Sequence, residues 1–334
     1  MVSYLRNTAT EEEFRVLRDG QTVTNDDGEP VKVPGMFDAG VFDQSVQEFL
    51  DKKDALANYF DPNLTEDIFA YIPQQKTSLV FTSQSVVKEM VDILEAENPG
   101  IFSNPNVTFA DLFSKAGLFL MEIVRRLDAG LFDQIPDNAA RLYHILTKQI
   151  FALSPNELMR AITLEAVSGG DPERKQWLEE SGHILVGEIA KMTSRQTQDA
   201  TDVLLGKAGG MFDVVIGNPP YQNDPLGVGL RAEPVYDKFI DRAYPLTNIA
   251  ILIIPARFLT NAGQTPKAWN GKILSDEHLR VISHYPNSSD VFDGTDIKGG
   301  VVITYRDVNR DLGPIGTFTS HDEIASILQS RRRG

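Results

Sequence analysis

Asn218, Pro219, Pro220 and Tyr221 form one run, directly after the apolar segment Val214-Val215-Ile216-Gly217. Their types suit one difficult reaction. The exocyclic amino group of adenine is a poor nucleophile, because its lone pair is delocalised into the ring. Two acceptors on its two N–H bonds draw the nitrogen toward tetrahedral geometry and free that pair. The side-chain oxygen of Asn218 and the carbonyl oxygen of Pro219 are candidates for those acceptors. Prolines restrict where that carbonyl points. Tyr221 offers a flat face on which a base taken out of its stack can lie. The plain alternative is a Pro-rich turn closing a core strand.

Such a turn needs a rigid support. Val214, Val215 and Ile216 are β-branched and apolar, which fits a strand buried on both faces. Gly217 frees the backbone, and the two prolines forbid both helix and ladder. The polar run is therefore expected at a strand's carboxyl end, where open α/β sheets bind ligands. Asn218 and Tyr221 are both expected to face an open cleft.

Upstream, Thr108 to Phe113 reads as a first strand. Ser114-Lys115-Ala116-Gly117 reads as a turn. Leu118 to Leu127 has the spacing of a helix with one apolar face. Strand, tight turn and helix make the opening unit of a doubly wound fold. Lys148 to Ser154 reads as a second strand, followed by a helix over 155–167. His183 to Val186 is the candidate third strand, and the surrounding residues 168–210 carry few signals. Trp177-Leu178 is read as the start of an element. Pro234 to Tyr244 is amphipathic, and Ile249 to Pro255 is a buried strand. Val281 to Tyr285 and a turn through Val291–Asp296 into Ile297–Tyr305 suggest a closing hairpin-like pair. Gln222 to Arg231 is expected to be a loop.

The run Asp213–Tyr221 resembles the catalytic motif of adenine-specific, S-adenosylmethionine-dependent DNA methyltransferases. From about Lys76 to Asp307 the chain is similar to the methylase part of type IIG restriction-modification enzymes. That resemblance implies a Rossmann-like class I methyltransferase fold, in which a mostly parallel seven-stranded sheet has helices on both faces. It makes Asn218, Pro219, Pro220 and Tyr221 the catalytic residues and S-adenosyl-L-methionine the cofactor. It also assigns cofactor contacts. Phe81 and Thr82 match a pair that meets the methionine end, although Thr82 or Ser83 equally makes an ordinary helix cap. Asp111 and Gly117 match the Asp-Pro-x-x-Gly-x-Gly turn, with Leu112 in place of its Pro and Lys115 in place of its first Gly. Ser154 stands where an acidic residue usually takes the ribose hydroxyls. Either Glu157 reaches back to replace that acid, or the cofactor binds more weakly. Glu188 is the candidate acid near the adenine ring.

The implied reaction is N6-methylation of a flipped adenine in double-stranded DNA, within a restriction-modification system. The alternatives are a methylase subunit that needs a separate specificity or nuclease partner, and methylation of another amide or amino nitrogen in protein glutamine or RNA. The charge bears on this choice. The net charge is −15, whereas DNA binders normally show a basic footprint. Met1 to Tyr221 holds 34 acidic and 19 basic residues, and Gln222 to Gly334 holds 13 of each. The acidity is thus confined to the part before the catalytic turn ends. With no cysteine, disulfides and Cys-based zinc sites are excluded. The opening residues lack an apolar signal core, so a cytoplasmic protein with no membrane association is expected. The expected domains are a small N-terminal helical region at 1–75, the methyltransferase domain at 76–307 and a C-terminal tail at 308–334. No target-recognition domain is read in the tail. Val41 to Phe60 has helical spacing, and residues 25–30 read as an exposed turn.

Overall fold

A computed structural model describes residues 19–24, 30–34, 82–191, 194–222, 233–261, 263–292 and 297–318. The chain divides into two compact units, residues 1–84 and 85–334. In the first unit, β1 (Gly20–Thr24) pairs antiparallel with β2 (Pro30–Pro34), running from Gly20↔Pro34 to Thr24↔Pro30. The helical region expected here is therefore a hairpin where it is described. Of the exposed turn read at 25–30, residues 25–29 lie outside the described residues and Pro30 opens β2; the helical spacing of Val41–Phe60 lies outside them too.

The second unit is built on one seven-stranded sheet. Its elements in chain order begin with helix α1 (Gln84–Glu97), β3 (Phe109–Asp111), α2 (Leu118–Gly130) and α3 (Asn138–His144). They continue with β4 (Ile150–Ser154), α4 (Glu157–Ser168), α5 (Pro172–Ser181), β5 (Ile184–Val186), α6 (Arg195–Lys207) and β6 (Phe212–Gly217). The last are α7 (Tyr236–Ala243), β7 (Thr247–Pro255), α8 (Lys267–Leu274), β8 (Leu279–Tyr285) and β9 (Val301–Asp307).

The strand order is β5-β4-β3-β6-β7-β9-β8. The pairs β4–β5, β3–β4, β3–β6 and β6–β7 are parallel, while β9 runs antiparallel between β7 and β8. This is the class I methyltransferase arrangement expected from the sequence. The chain leaves β3 in one direction toward β4 and β5, and resumes on the other side at β6. The carboxyl ends of β3 and β6 thus form the crevice where strand order reverses, the usual ligand site of such sheets.

Burial explains the central strands. Val214, Val215 and Ile216 have no exposed surface, and Ile251, Leu252 and Ile253 of β7 have none either. Each such side chain contributes roughly 1.5–3 kcal/mol relative to exposure. Helix α2 buries Leu118, Leu120, Ile123 and Leu127, which recur at helical spacing against the sheet. At the opposite, amino ends of the same two strands, Asp213 Oδ2 accepts bonds from Thr108 N at 2.8 Å and Thr108 Oγ1 at 3.0 Å. That tie sets β3 beside β6.

Several local readings need correction. A π-helical turn, Ile145–Gln149, occupies the start of what reads as the second strand. Trp177 and Leu178 lie inside α5 and do not begin an element. Helix α5 depends on its ends: Asp171 caps it, Pro172 opens it and Gly182 closes it in the left-handed conformation. Its apolar content is too low for periodicity to show it. The closing pair is β8 with β9, and β9 also pairs with β7. Beyond β9 the backbone stays attached, with Leu312 N donating to Glu277 O at 2.7 Å and Gly316 N to Leu274 O at 2.8 Å. The loop expected after Tyr221 lies outside the described residues from 223 to 232. Among the described residues no helix is long and apolar enough to cross a membrane.

Candidate active site

The catalytic candidates follow β6 without a break. Gly217 ends β6 beside the carboxylate that ends β3. A Cβ there would stand 2.9 Å from Asp111 Oδ1, so only glycine lets the β3 carboxylate sit beside the start of the Asn-Pro-Pro run. Asn218 is 5% exposed, and Pro219 and Pro220 are buried after it.

Tyr221 is not the open-cleft side chain expected from sequence. It is 8% exposed, and its hydroxyl donates to Ile253 O of β7 at 3.2 Å. Its ring meets Phe292 edge to face, with centroids 6.3 Å apart. Val235 N, just before α7, donates to Tyr221 O at 3.1 Å. Burial pushes the phenol well above its usual pKa, so it stays neutral. Tyr221 is thus held by a strand on one side and by the residue before a helix on the other.

The β3–α2 loop makes the opposite wall. Asp111 Oδ1 accepts Phe113 N at 3.1 Å. Ser114 N donates to Leu153 O at 2.8 Å, and Ser114 Oγ lies 3.2 Å from Thr163 Oγ1. Gly117 has φ +73°, and a Cβ on it would come within 3.0 Å of Val167 Cγ2. Both facts require glycine at the mouth of α2. Lys115 is buried, with Nζ 5.3 Å from the Phe113 ring centroid. Burial raises the Asp111 carboxyl to about 7, against the Phe113 N–H, the Lys115 charge and Ser114, which pull it down. Burial likewise lowers Lys115 to about 7, opposed by Asp111. Each partly stabilises the charge of the other inside a site that disfavours both.

The ends of β4 and β5 complete the edge. Ser154 is fully buried, and its Oγ has no partner among the described residues. Its carbonyl accepts Gly187 N at 2.9 Å, which brings the loop carrying Glu188 alongside. Glu188 is half-buried, and its backbone N–H donates to Thr197 Oγ1 at 3.3 Å. Glu157 does not turn back toward Ser154. Its side chain is 77% exposed and lies 3.7 Å from Arg160, because Asn156 caps α4 and starts the helix with Glu157 facing out. Thr82 is buried two residues ahead of α1 and belongs to the first unit. Phe81 lies outside the described residues.

Asp111, Lys115, Gly117, Ser154, Glu188 and Asn218 to Tyr221 thus line the carboxyl edge of four consecutive strands in the sheet. Sequence reasoning missed the supports: Ile253 and Phe292 under Tyr221, and Ser114, Thr163 and Gly187 under the loops. Their contacts join segments far apart in the chain, which no local pattern announces.

Comparison with known proteins gives the following likenesses. Residues 147–292 match the model of the Eco57I restriction-modification methylase family. An uncharacterized adenine-specific methylase of Mycoplasma pneumoniae (strain ATCC 29342 / M129 / Subtype 1) is 25% identical over 288 residues, covering 70% of this chain and 68% of that protein. Among solved structures, the DrdV–DNA complex superposes with a TM-score of 0.51 at 13% identity, over 69% of this chain. A nuclease-deletion mutant of the Type ISP restriction-modification enzyme LlaGI, in complex with a DNA substrate mimic, gives 0.53 at 13% identity, over 84% of this chain. These two likenesses are of fold, and the chain spans 26% and 27% of those larger chains. Fold and sequence agree: this chain has the class I methyltransferase fold and, across residues 147–292, is similar to the Eco57I restriction-modification methylases.

Proposed function

We propose that the chain methylates N6 of a flipped adenine in double-stranded DNA, using S-adenosylmethionine, as the modification component of a restriction-modification system. One observation carries this reading. An Asn-Pro-Pro-Tyr turn closes β6 beside a carboxylate that closes β3, at the reversal of strand order.

The residues present fit such a cofactor. Ser154 Oγ is a buried oxygen without a partner among the described residues, suited to a ribose hydroxyl. Glu188 stands one loop away for the adenosine, and Asp111 and Lys115 flank the turn that would hold the methionine end. When bound, S-adenosylmethionine supplies an electrophilic methyl group. The chain supplies position and charge. Asn218 and the Pro219 carbonyl accept from the adenine amino group and strengthen their hold as its nitrogen becomes tetrahedral and positive. Tyr221, locked by Ile253 and Phe292, fixes the turn beside which the extruded base would lie. Holding the two reactants in line supplies much of the rate.

A second reading is favoured by the net charge of −15: the chain methylates DNA only beside a basic specificity partner. The test of both is transfer of tritiated methyl from S-adenosylmethionine to genomic DNA by the full chain, followed by nucleoside chromatography. Label in N6-methyladenine supports autonomous action. Label that appears only after host extract is added supports the partner reading. Label confined to protein or RNA acceptors contradicts both.

A further inference from the structure

Beside the catalytic turn lies a side chain that the chemistry above does not use. Arg257 follows β7 by two residues, and its stem lies close against two glycines. A Cβ on Gly263 would come within 3.2 Å of Arg257 Cβ, and one on Gly299 within 3.2 Å of Arg257 Cγ. Both glycines are left-handed, with φ +114° and +85°, so the backbone there excludes side chains in favour of the arginine stem. Arg257 Nε donates to Lys298 O. Among the described residues its two outer nitrogens have no hydrogen-bonding or acidic partner. Lys298 is exposed, and its ammonium likewise has no ion pair among the described residues.

The turn bearing Lys298 is itself fixed. Ile297 N donates to Ser288 Oγ at 2.7 Å, Gly300 N to Ile297 O at 2.8 Å and Ala256 N to Gly300 O at 3.0 Å. A Cβ on Gly300 would fall 2.0 Å from Tyr285 O. This cluster borders the catalytic turn. Ile253, which holds the Tyr221 hydroxyl, is four residues before Arg257, a reach of at most about 13 Å. Phe292, which holds the Tyr221 ring, bonds Ser288 O through its own N–H at 2.9 Å.

A guanidinium with its stem clamped and its inner nitrogen already tied loses little freedom on binding, and its outer pair suits a two-oxygen anion. In a chain of net charge −15, two cations without an ion pair among the described residues are joined here by the Arg257 Nε bond to Lys298 O. We infer that Arg257 and Lys298 grip phosphodiester groups of duplex DNA flanking the adenine that enters the site. Arg257 takes two oxygens of one phosphate, and Lys298 meets a neighbouring phosphate as a point charge. The inference rests on the reading of the site as a DNA methylase.

The test is the salt dependence of binding to a fluorescein-labelled random-sequence duplex, measured by anisotropy on the full chain. Each phosphate contact steepens the log–log slope by about 0.9. Arg257→Gln and Lys298→Gln should each flatten the slope by about one, and the double variant by about two. Lys272→Gln should leave it unchanged, since that charge is already paired with Asp241 at 2.7 Å. If Arg257→Gln lowers the melting temperature, the exposed Lys298 decides the question alone. Slopes unchanged in Lys298→Gln and the double variant, with the wild type still binding and methylating DNA, overturn the clamp and leave the function standing. A wild type with neither DNA binding nor DNA methylation overturns both.

Discussion

Asp111 Oδ1 stands 2.9 Å from where a Cβ on Gly217 would be, so the carboxylate ending one strand occupies the space that the next strand leaves empty. The loop proposed to hold the cofactor and the turn proposed to hold the base are thereby fitted to each other across the middle of the sheet. Gly217→Ala should push Asp111 off its bond to Phe113 N. Overpacking of this kind costs typically about 1–3 kcal/mol. Thermal melting should show that loss, and calorimetry should show weaker S-adenosylmethionine binding than wild type at a temperature where both are folded. Unchanged affinity would mean that Asp111 has no part in the cofactor site.

Tyr221 has a structural part beside the chemical one proposed for it. Tyr221→Phe removes the bond to Ile253 O and should cost about 1 kcal/mol. Tyr221→Ala empties a buried ring site against Phe292 and should cost about 3–5 kcal/mol. Denaturant midpoints measure both. An alanine variant as stable as wild type would show that the ring is not packed as described here.

The Asp111–Lys115 pair predicts a pH signature. The Asp111 carboxyl is raised from 3.8 to about 7. Between those values the folded chain holds a proton that the unfolded chain has released, so stability falls as pH rises. Lys115 is lowered from 10.5 to about 7. Above 7 the unfolded chain holds the extra proton, so stability rises again up to about 10.5. The pair therefore contributes a minimum near neutrality. Denaturant midpoints from about pH 5 to 9 for wild type and for Asp111→Asn/Lys115→Met should differ most near pH 7. A flat difference across that range would refute the account of the pair.

Ser154→Ala separates ligand binding from packing. The Oγ is buried without a partner among the described residues, so its loss should leave the melting temperature of the free chain level or higher. If it bonds a ribose hydroxyl, its loss should weaken S-adenosylmethionine by about 0.5–1.5 kcal/mol, roughly two- to thirteenfold. Calorimetry showing no change would remove Ser154 from the site.

Local features made much of this architecture legible. The apolar run before Gly217 marked β6 because a strand buried on both faces needs an unbroken apolar sequence. Asp111 to Leu127 marked a strand, turn and helix because the periodicity changes across Gly117. Helix α5 escaped notice because its single buried residue, Leu178, leaves no apolar stripe to read. The burial of Tyr221 was not legible, since it depends on Ile253 and Phe292, which are 32 and 71 positions away. The outward turn of Glu157 follows from the Asn156 cap, a local signal that the reading of an acid reaching back to Ser154 passed over. The close packing of Arg257 needs two glycines that only the folded sheet brings together.

Methyl transfer by Asn218→Ala tests the central claim most directly. Wild type and variant are each given tritiated S-adenosylmethionine and genomic DNA, with host extract if the wild type requires it, and the label in N6-methyladenine is timed. Label in adenine is expected from wild type, with a rate about 10²–10³ lower in the variant, since one acceptor on the reacting nitrogen is gone. Circular dichroism and retained S-adenosylmethionine binding should show the variant folded. Transfer at the wild-type rate by a folded Asn218→Ala chain would contradict the account and leave the turn as scaffold.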